Sequence, residues 1–347
     1  MGNNDIYRYL DPSSNDMISS MNNSDRVNIM LQLRNYYLEL RKTLNIDNNI
    51  TFGAEIEFED SKRKIIEEEI LKAFLLGNWK VVDDRSLYQG GEINSPILRD
   101  TEDNWKDLST ICNIVSMNAE VLENTSAHVH IGMHIFGNNP KYWWNFALLW
   151  MTYENIITRF LYGEYDAPRA GLNRYATPIS KDLIEDIEAL EKCSHSLNAI
   201  GILKKLNKTD EKRRSVNFRH IDKTALYDYD KIAKKNTIEF RGANGTFNPI
   251  IWQNNINLLI KLLEYCKSDN FNEELIKRRL KAVIENEIPS NIYRYTQIRI
   301  EQATEFADLI FTNNLDKLYF LRQYIKDYKA SMVPLTKSEP FTKQLTL

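Results

Sequence analysis

Glu55, Glu57 and Glu59 occupy alternate positions in the stretch TFGAEIEFED, with Phe52, Ala54, Ile56 and Phe58 between them. Side chains on a strand alternate between faces, so the apolar set can enter a core while the carboxylates point together to the other side. Like charges at that spacing repel. A solvated edge tolerates such a row, and so does a site where divalent cations neutralise it. The same alternation recurs in AHVHIGMHIF, where His128, His130 and His134 oppose Val129, Ile131, Met133 and Ile135. It recurs again in GGEINSP (Glu92, Asn94), SVNFRH (Asn217, Arg219) and TIEFRG (Thr237, Glu239, Arg241).

Singly, each pattern is also what a surface strand, a satisfied histidine pair or a structural ion pair would show. Jointly they describe one sheet face offering carboxylates, imidazoles and guanidinium groups. Hard oxygen ligands from separate strands suit Mg²⁺ or Mn²⁺ better than zinc. Cations held there can bridge to phosphate oxygens, and an arginine beside them can stabilise charge on a transferred phosphoryl group. The chain has no GxxxxGK[ST] loop, which argues against a P-loop nucleotide site.

Several short strands between unevenly clustered helices must position these groups. Apolar residues at three-to-four spacing predict a helix from Ser24 to Asn45, followed by the ITFGAEIEFE strand. Further helices are expected over Lys62 to Leu76 and Trp105 to Leu122, with a short strand in NWKVVDDRSL and another in GGEINSPIL between them. NPKYWWNFALLWMTYENIITRFLYG opens with a proline suited to a first turn and is apolar nearly all round, so it predicts a buried helix. A loop, EYDAPRAGLNRYATPIS, precedes an acidic helix near Lys181 to Lys192, and the basic stretch Asn198 to Arg214 reads as partly loop. RSVNFRHI and NTIEFRGANGTF are spaced for a hairpin; Pro249 to Cys266 is helical, as is Phe271 to Ala330 with polar breaks, and the tail after Met332 is expected to be only partly ordered. Alternating rather than continuously apolar strands favour an α+β fold: a largely antiparallel sheet with helices on one face and an open, charged face on the other. The expected divisions are a helical segment over 1–48, a catalytic unit over 49–267 and a C-terminal helical extension over 268–347 packed on the same domain.

With 347 residues, 43% hydrophobic, the chain can bury a substantial core, and a net charge of −3 gives no basic excess that would call for nucleic acid or a membrane. Cys112, Cys193 and Cys266 are far apart and form no CxxC pair, which fits a reducing cytoplasm. No export signal is visible at the start, and the most apolar segment, FALLWM, is much shorter than a membrane span.

GAEIEFE, WKVVDDRSL with GGEINSPIL, AHVHIG, PRAGLNRYATPI and TIEFRGANGTFNP, in that order over Thr51 to Trp252, resemble the amidoligase family. That family belongs to the carboxylate–amine ligase superfamily of glutamine synthetase and glutamate–cysteine ligase. The resemblance implies their catalytic fold and an ATP-dependent ligase acting through an acyl phosphate, with a carboxylate and an amine as substrates. Whether these are amino acids, peptides or proteins stays open, as does the oligomeric state. By similarity, Glu55, Glu57, Glu92, His128 and Glu239 match metal ligands, His130 faces the ATP phosphates, and Arg241 meets the phosphoryl group. Glu57, His130 and Arg241 are thus the implied catalytic set; Asn217, Arg219 and Arg174 are further candidates for nucleotide contacts. Arg169, Asn173 and Arg174 lie on a loop similar to the family's arginine-containing substrate or nucleotide loop. Ser126 stands where the family usually has glycine, and His134 lies outside the shared motif and reads as structural. Glu59 reads as a solvated neighbour, and the DDRS turn, with Asp84 and Ser86, could hold either a turn or a substrate. The alternatives are an inactive nucleotide- or metal-binding module and a phosphotransferase of the same fold.

Overall fold

The computed structural model describes residues 6–34, 36–196, 199–206, 213–221, 236–286 and 298–326. The first half contains α1 (Asn23–Arg34), β1 (Phe52–Phe58), α2 (Arg63–Lys72), β2 (Lys80–Val82), β3 (Gly91–Asn94), α3 (Glu102–Asn118), β4 (Ser126–Gly132) and α4 (Pro140–Leu161). Then follow α5 (Leu172–Tyr175), α6 (Ser180–Glu185), α7 (Ile187–His195), α8 (Ala199–Leu206), β5 (Val216–Asn217), β6 (Thr237–Asn244), α9 (Pro249–Lys267), α10 (Glu273–Asn286), α11 (Ile300–Ile310) and α12 (Asn314–Ile325). The strands form one open sheet in the order β2-β3-β1-β4-β6-β5, with every pairing antiparallel. The fold is therefore α+β, with β1 and β4 at the centre of the sheet.

The apolar strand faces pack on helices as alternation requires. Phe52 of β1 stacks on Trp105 of α3 at 5.2 Å, and Phe240 of β6 lies 5.7 Å from Trp150 of α4. Both long helices under the sheet start the same way: the side chain of Asn139 caps Lys141 N ahead of Pro140, and that of Asn248 caps Ile250 N ahead of Pro249. Proline at the first turn forfeits no intrahelical bond, while the asparagine satisfies an orphan N–H. Buried apolar residues from Tyr9 to Ile325 form one main core, with Tyr162, Leu172 and Ala176 in a small separate cluster. No helix among the described residues is long and apolar enough to cross a membrane.

Several elements differ from their sequence pattern. The helix expected to reach Asn45 stops at Arg34, because backbone N–H groups beyond it find tertiary partners instead of helical ones. Arg41 N donates to Gln253 Oε1 at 2.8 Å, and Leu44 N and Ile46 N donate to the Asp100 carboxylate. Within the basic stretch, residues 199–206 are helical, since Ala199, Ile202 and Leu203 bury one face. The acidic helix is broken at Asp186 into α6 and α7. The expected ends of the basic stretch and of the last helix, and the tail after Met332, fall outside the described residues in part or whole.

Candidate active site

β1 carries the centre of the site. In its pairing with β3, Glu57 faces Glu92 and Glu55 faces Asn94; in its pairing with β4, Glu55 faces His128 and Gly53 faces His130. β4 then sets His130 opposite Glu239 of β6, and β5 sets Asn217 opposite Glu239 from the other side. Five of the expected metal ligands thus converge. Glu55, His128 and Glu239 form one group of donor atoms within 4.8 Å of one another, and Glu57, Glu92 and His128 form a second.

His128 lies between the two groups. Its Nδ1 is 3.2 Å from Glu55 Oε2 and 3.9 Å from Glu239 Oε1, while its Nε2 is 3.5 Å from Glu57 Oε1. A neutral imidazole has one lone-pair nitrogen, so His128 can ligate in one group while its N–H orients a carboxylate of the other. Ser126 braces this arrangement: its N–H donates to Glu57 Oε2 at 2.7 Å, and its hydroxyl is 2.7 Å from His128 Nε2. His130 pairs with Thr237 Oγ1 through Nδ1 at 2.9 Å and brings Nε2 to 2.9 Å from Glu55 Oε1.

The face is charged but not bare. Glu55, Glu57, His128 and Glu239 are 8%, 5%, 2% and 2% exposed. Burial would raise the Glu55 carboxyl, but hydrogen bonds and charge from His128 and His130 outweigh it and hold Glu55 well below the ordinary carboxylate range. Glu239 is likewise opposed by burial yet held down at about 2 by His220, Arg241, His128 and His130. At Glu92 a hydrogen bond from Asn94 pulls the same way but is outweighed. Burial, then the charges of Glu55 and Glu57, push it up to about 8. A carboxylate strained by its neighbours in this way is what a divalent cation would relieve, and oxygen-rich groups with one shared imidazole suit Mg²⁺ or Mn²⁺. On both counts the donor set fits such a metal.

Glu239 has further partners on its own side. Arg241 pairs with its Oε1, Asn217 Nδ2 donates to Oε2 at 2.9 Å, and His220 Nε2 lies 3.2 Å from Oε2. Asn217 therefore orients Glu239. Arg219 sits exposed in the turn after β5, with its backbone N–H on Asn217 Oδ1. The strand expected through RSVNFRHI is only two residues long, and that turn swings His220 back over the site, 5.8 Å from the His130 ring. Strand parity put His220 on the wrong side, so no sequence signal identified it.

A β-bulge in β6 is the second feature that parity could not supply. Val129 pairs with Phe240 and Ala127 with Ala243, so Arg241 and Gly242 together oppose His128. The extra residue shifts the alternation: Ala243 turns to the core, and Asn244 comes opposite Ser126 on the polar side. Asn244 Oδ1 accepts Arg169 N at 2.8 Å, and its Nδ2 donates to the carbonyls of Ala167 and Tyr162, so it pins the loop after α4. The next residue, Gly245, lies so close to Thr125 that a Cβ there would come within 2.6 Å of its Oγ1.

That loop brings Arg169, not Arg174, to the cluster. Arg169 is 2% exposed, and burial pushes its guanidinium down to about 10 against the support of Glu57. Asn173 and Arg174 are exposed, with the Arg174 guanidinium over the Tyr175 ring at 5.2 Å. Glu59 is not solvated but fully buried: just past the end of β1 its backbone bridges Glu120, and its side chain accepts the Tyr88 N–H through Oε1 at 2.6 Å. His134 is not on the strand face at all. β4 ends at Gly132, and His134 lies in a 3-10 turn, exposed, with Nε2 2.8 Å from the Asn49 carbonyl. Asp84 holds a turn through Ser86 N at 2.8 Å.

The family model described as "Putative amidoligase enzyme" matches residues 48–263, the span that carries β1 to β6 and every group of this cluster. No curated protein matches the chain.

Proposed function

The chain belongs to that amidoligase family, and from this premise we propose that it is an ATP- and Mg²⁺- or Mn²⁺-dependent ligase joining a carboxylate to an amine. The reading rests on one observation above all: two donor groups, with four carboxylates from three strands, share His128 of a fourth strand, and Arg241 lies beside them. The reaction would run in two steps. A carboxylate oxygen of the acid attacks the γ-phosphorus of ATP, giving an acyl phosphate and ADP. The amine nitrogen then attacks the acyl carbon, phosphate leaves with its bridging oxygen, and the nitrogen loses a proton. Acid, amine and ATP thus become amide, ADP and phosphate.

Glu55, Glu57, Glu92, His128 and Glu239 would hold the metal. A cation there supplies charge neutralisation for the acids and for the ATP phosphate oxygens. The chain's own residues do the rest. Ser126 fixes the Glu57 and His128 orientations, Asn217 and His220 fix Glu239, and His130 is tied by Thr237. Arg241 spends one N–H group on Glu239 and presents the rest of a planar fork to the transferred phosphoryl group, where charge builds in the transition state.

Incubation with Mg-ATP and pools of acids and amines tests the proposal, with ADP, phosphate and amide read together. ADP is expected only when acid and amine are both present, and Glu57→Gln should abolish it while leaving the circular dichroism unchanged. ADP formed with a single phosphorylated acceptor would make the protein a phosphotransferase. No turnover with any pair, despite tight ATP binding, would leave a binding module.

A further inference from the structure

We propose that Arg169 is a positioning residue for this site: one buried guanidinium fixes both the β6 bulge that aims Arg241 and the turn that delivers Ser126 to Glu57 and His128. At the bulge, Arg241 is out of register with β4. Its N–H continues the β5 side of the ladder to the Ser215 carbonyl at 2.8 Å, and its own carbonyl accepts from Arg169 Nη2 at 3.2 Å. A bulge leaves backbone groups without ladder partners, and a buried carbonyl left alone is costly, so the donor that meets it selects the bulged geometry.

The other arm of the same fork, Arg169 Nη1, donates to the Asn124 carbonyl at 3.1 Å. Asn124 lies in the turn closed by Thr125 N to the Leu122 carbonyl, and Ser126 follows directly. Ser126 is the residue whose N–H and hydroxyl hold Glu57 and His128. Arg169 is itself held from behind by Asn244 through its backbone N–H. Its Nε has no hydrogen-bond partner, so the two terminal nitrogens carry the tie. A planar fork can bridge two carbonyls at once, whereas a lysine ammonium is a point donor on a flexible stem.

The effect on turnover rests on the ligase reading; the effect on geometry does not. Arg169→Lys keeps a buried cation and Arg169→Met removes it; the lysine variant keeps the test open if the methionine variant does not fold. Crystal structures should show Arg241 displaced from Glu239 and Ser126 N–H displaced from Glu57. Mn²⁺ titration should show roughly tenfold weaker binding in the lysine variant, as for residues that orient metal ligands. In turnover, kcat should fall at least about tenfold with the KM for ATP within about threefold. Unmoved Arg241 and Ser126, or wild-type Mn²⁺ affinity with only a lower Tm, would overturn the proposal. If the wild type binds no Mn²⁺ and consumes no ATP with any pair, the ligase reading fails, and the crystal structures alone decide the role of Arg169.

Discussion

Glu57 and Glu92 stand directly opposite each other across the antiparallel pairing of β1 with β3. Opposed like charges destabilise a sheet, and here Glu92, buried first of all and then repelled by Glu55 and Glu57, has its carboxyl raised to about 8. The folded state thus holds this proton more tightly than the unfolded chain. Stability from Glu92 is fully present below the ordinary carboxylate range and is lost as pH rises towards 8. Glu239, depressed to about 2, contributes with the opposite sign: its share is present above the ordinary range and is lost as pH falls towards that value. Glu92→Gln should therefore raise the Tm of metal-free protein at pH about 8 and change it little at pH about 5. Thermal melts with chelator at both pH values check this; an equal shift at both would rule out charge strain as the cause.

The three histidines of the AHVHIGMH segment should separate in activity. His128 is shared by both donor groups and His130 lies against Glu55, whereas His134 is exposed and meets only a backbone carbonyl among the described residues. His128→Ala and His130→Ala are expected to abolish or severely reduce ATP turnover. His134→Ala should keep turnover and alter stability by no more than about 0.5 kcal/mol. Equal losses across the three would show that the charged face is not where the chemistry occurs.

Arg241→Lys distinguishes an ion pair from a phosphoryl clamp. Lysine retains the charge next to Glu239 but loses the fork, so a purely structural role predicts near-normal rates. The clamp predicts a fall in kcat on the order of a hundredfold with a much smaller change in ATP affinity. Steady-state kinetics at saturating acid and amine, with ATP varied, measure both quantities.

Asn244→Ala probes the loop anchor. Its amide makes three hydrogen bonds, two buried ones to Arg169 N and the Tyr162 carbonyl and a partly buried one to the Ala167 carbonyl. Truncation would leave these groups unpaired at a cost of about 2–4 kcal/mol, measurable by urea unfolding. A loss below about 0.5 kcal/mol would mean that water or a neighbour replaces the side chain.

Period-two alternation already assigned Glu55, Glu57, Glu92, His128, His130 and Glu239 to a single face, and the structure brings them together there. Such assignments are legible because the pleat acts locally: each side chain's face follows from its neighbours along the strand. The proline start of α4 was legible for the same reason, since a proline's fit to a first helical turn is decided within that turn. What the sequence could not determine depends on partners distant in the chain. The end of α1 follows from Asp100 and Gln253, the burial of Glu59 from the turn at Tyr88, and the return of His220 from a strand that ends after two residues. Above all, the bulge at Arg241 and Gly242 inverts the alternation in mid-strand, taking Ala243 inward and bringing Asn244 to the site. A bulge is a property of the ladder between two strands, and only their pairing in three dimensions places it; that same pairing selected Arg169 over Arg174 as the cation inside the fold.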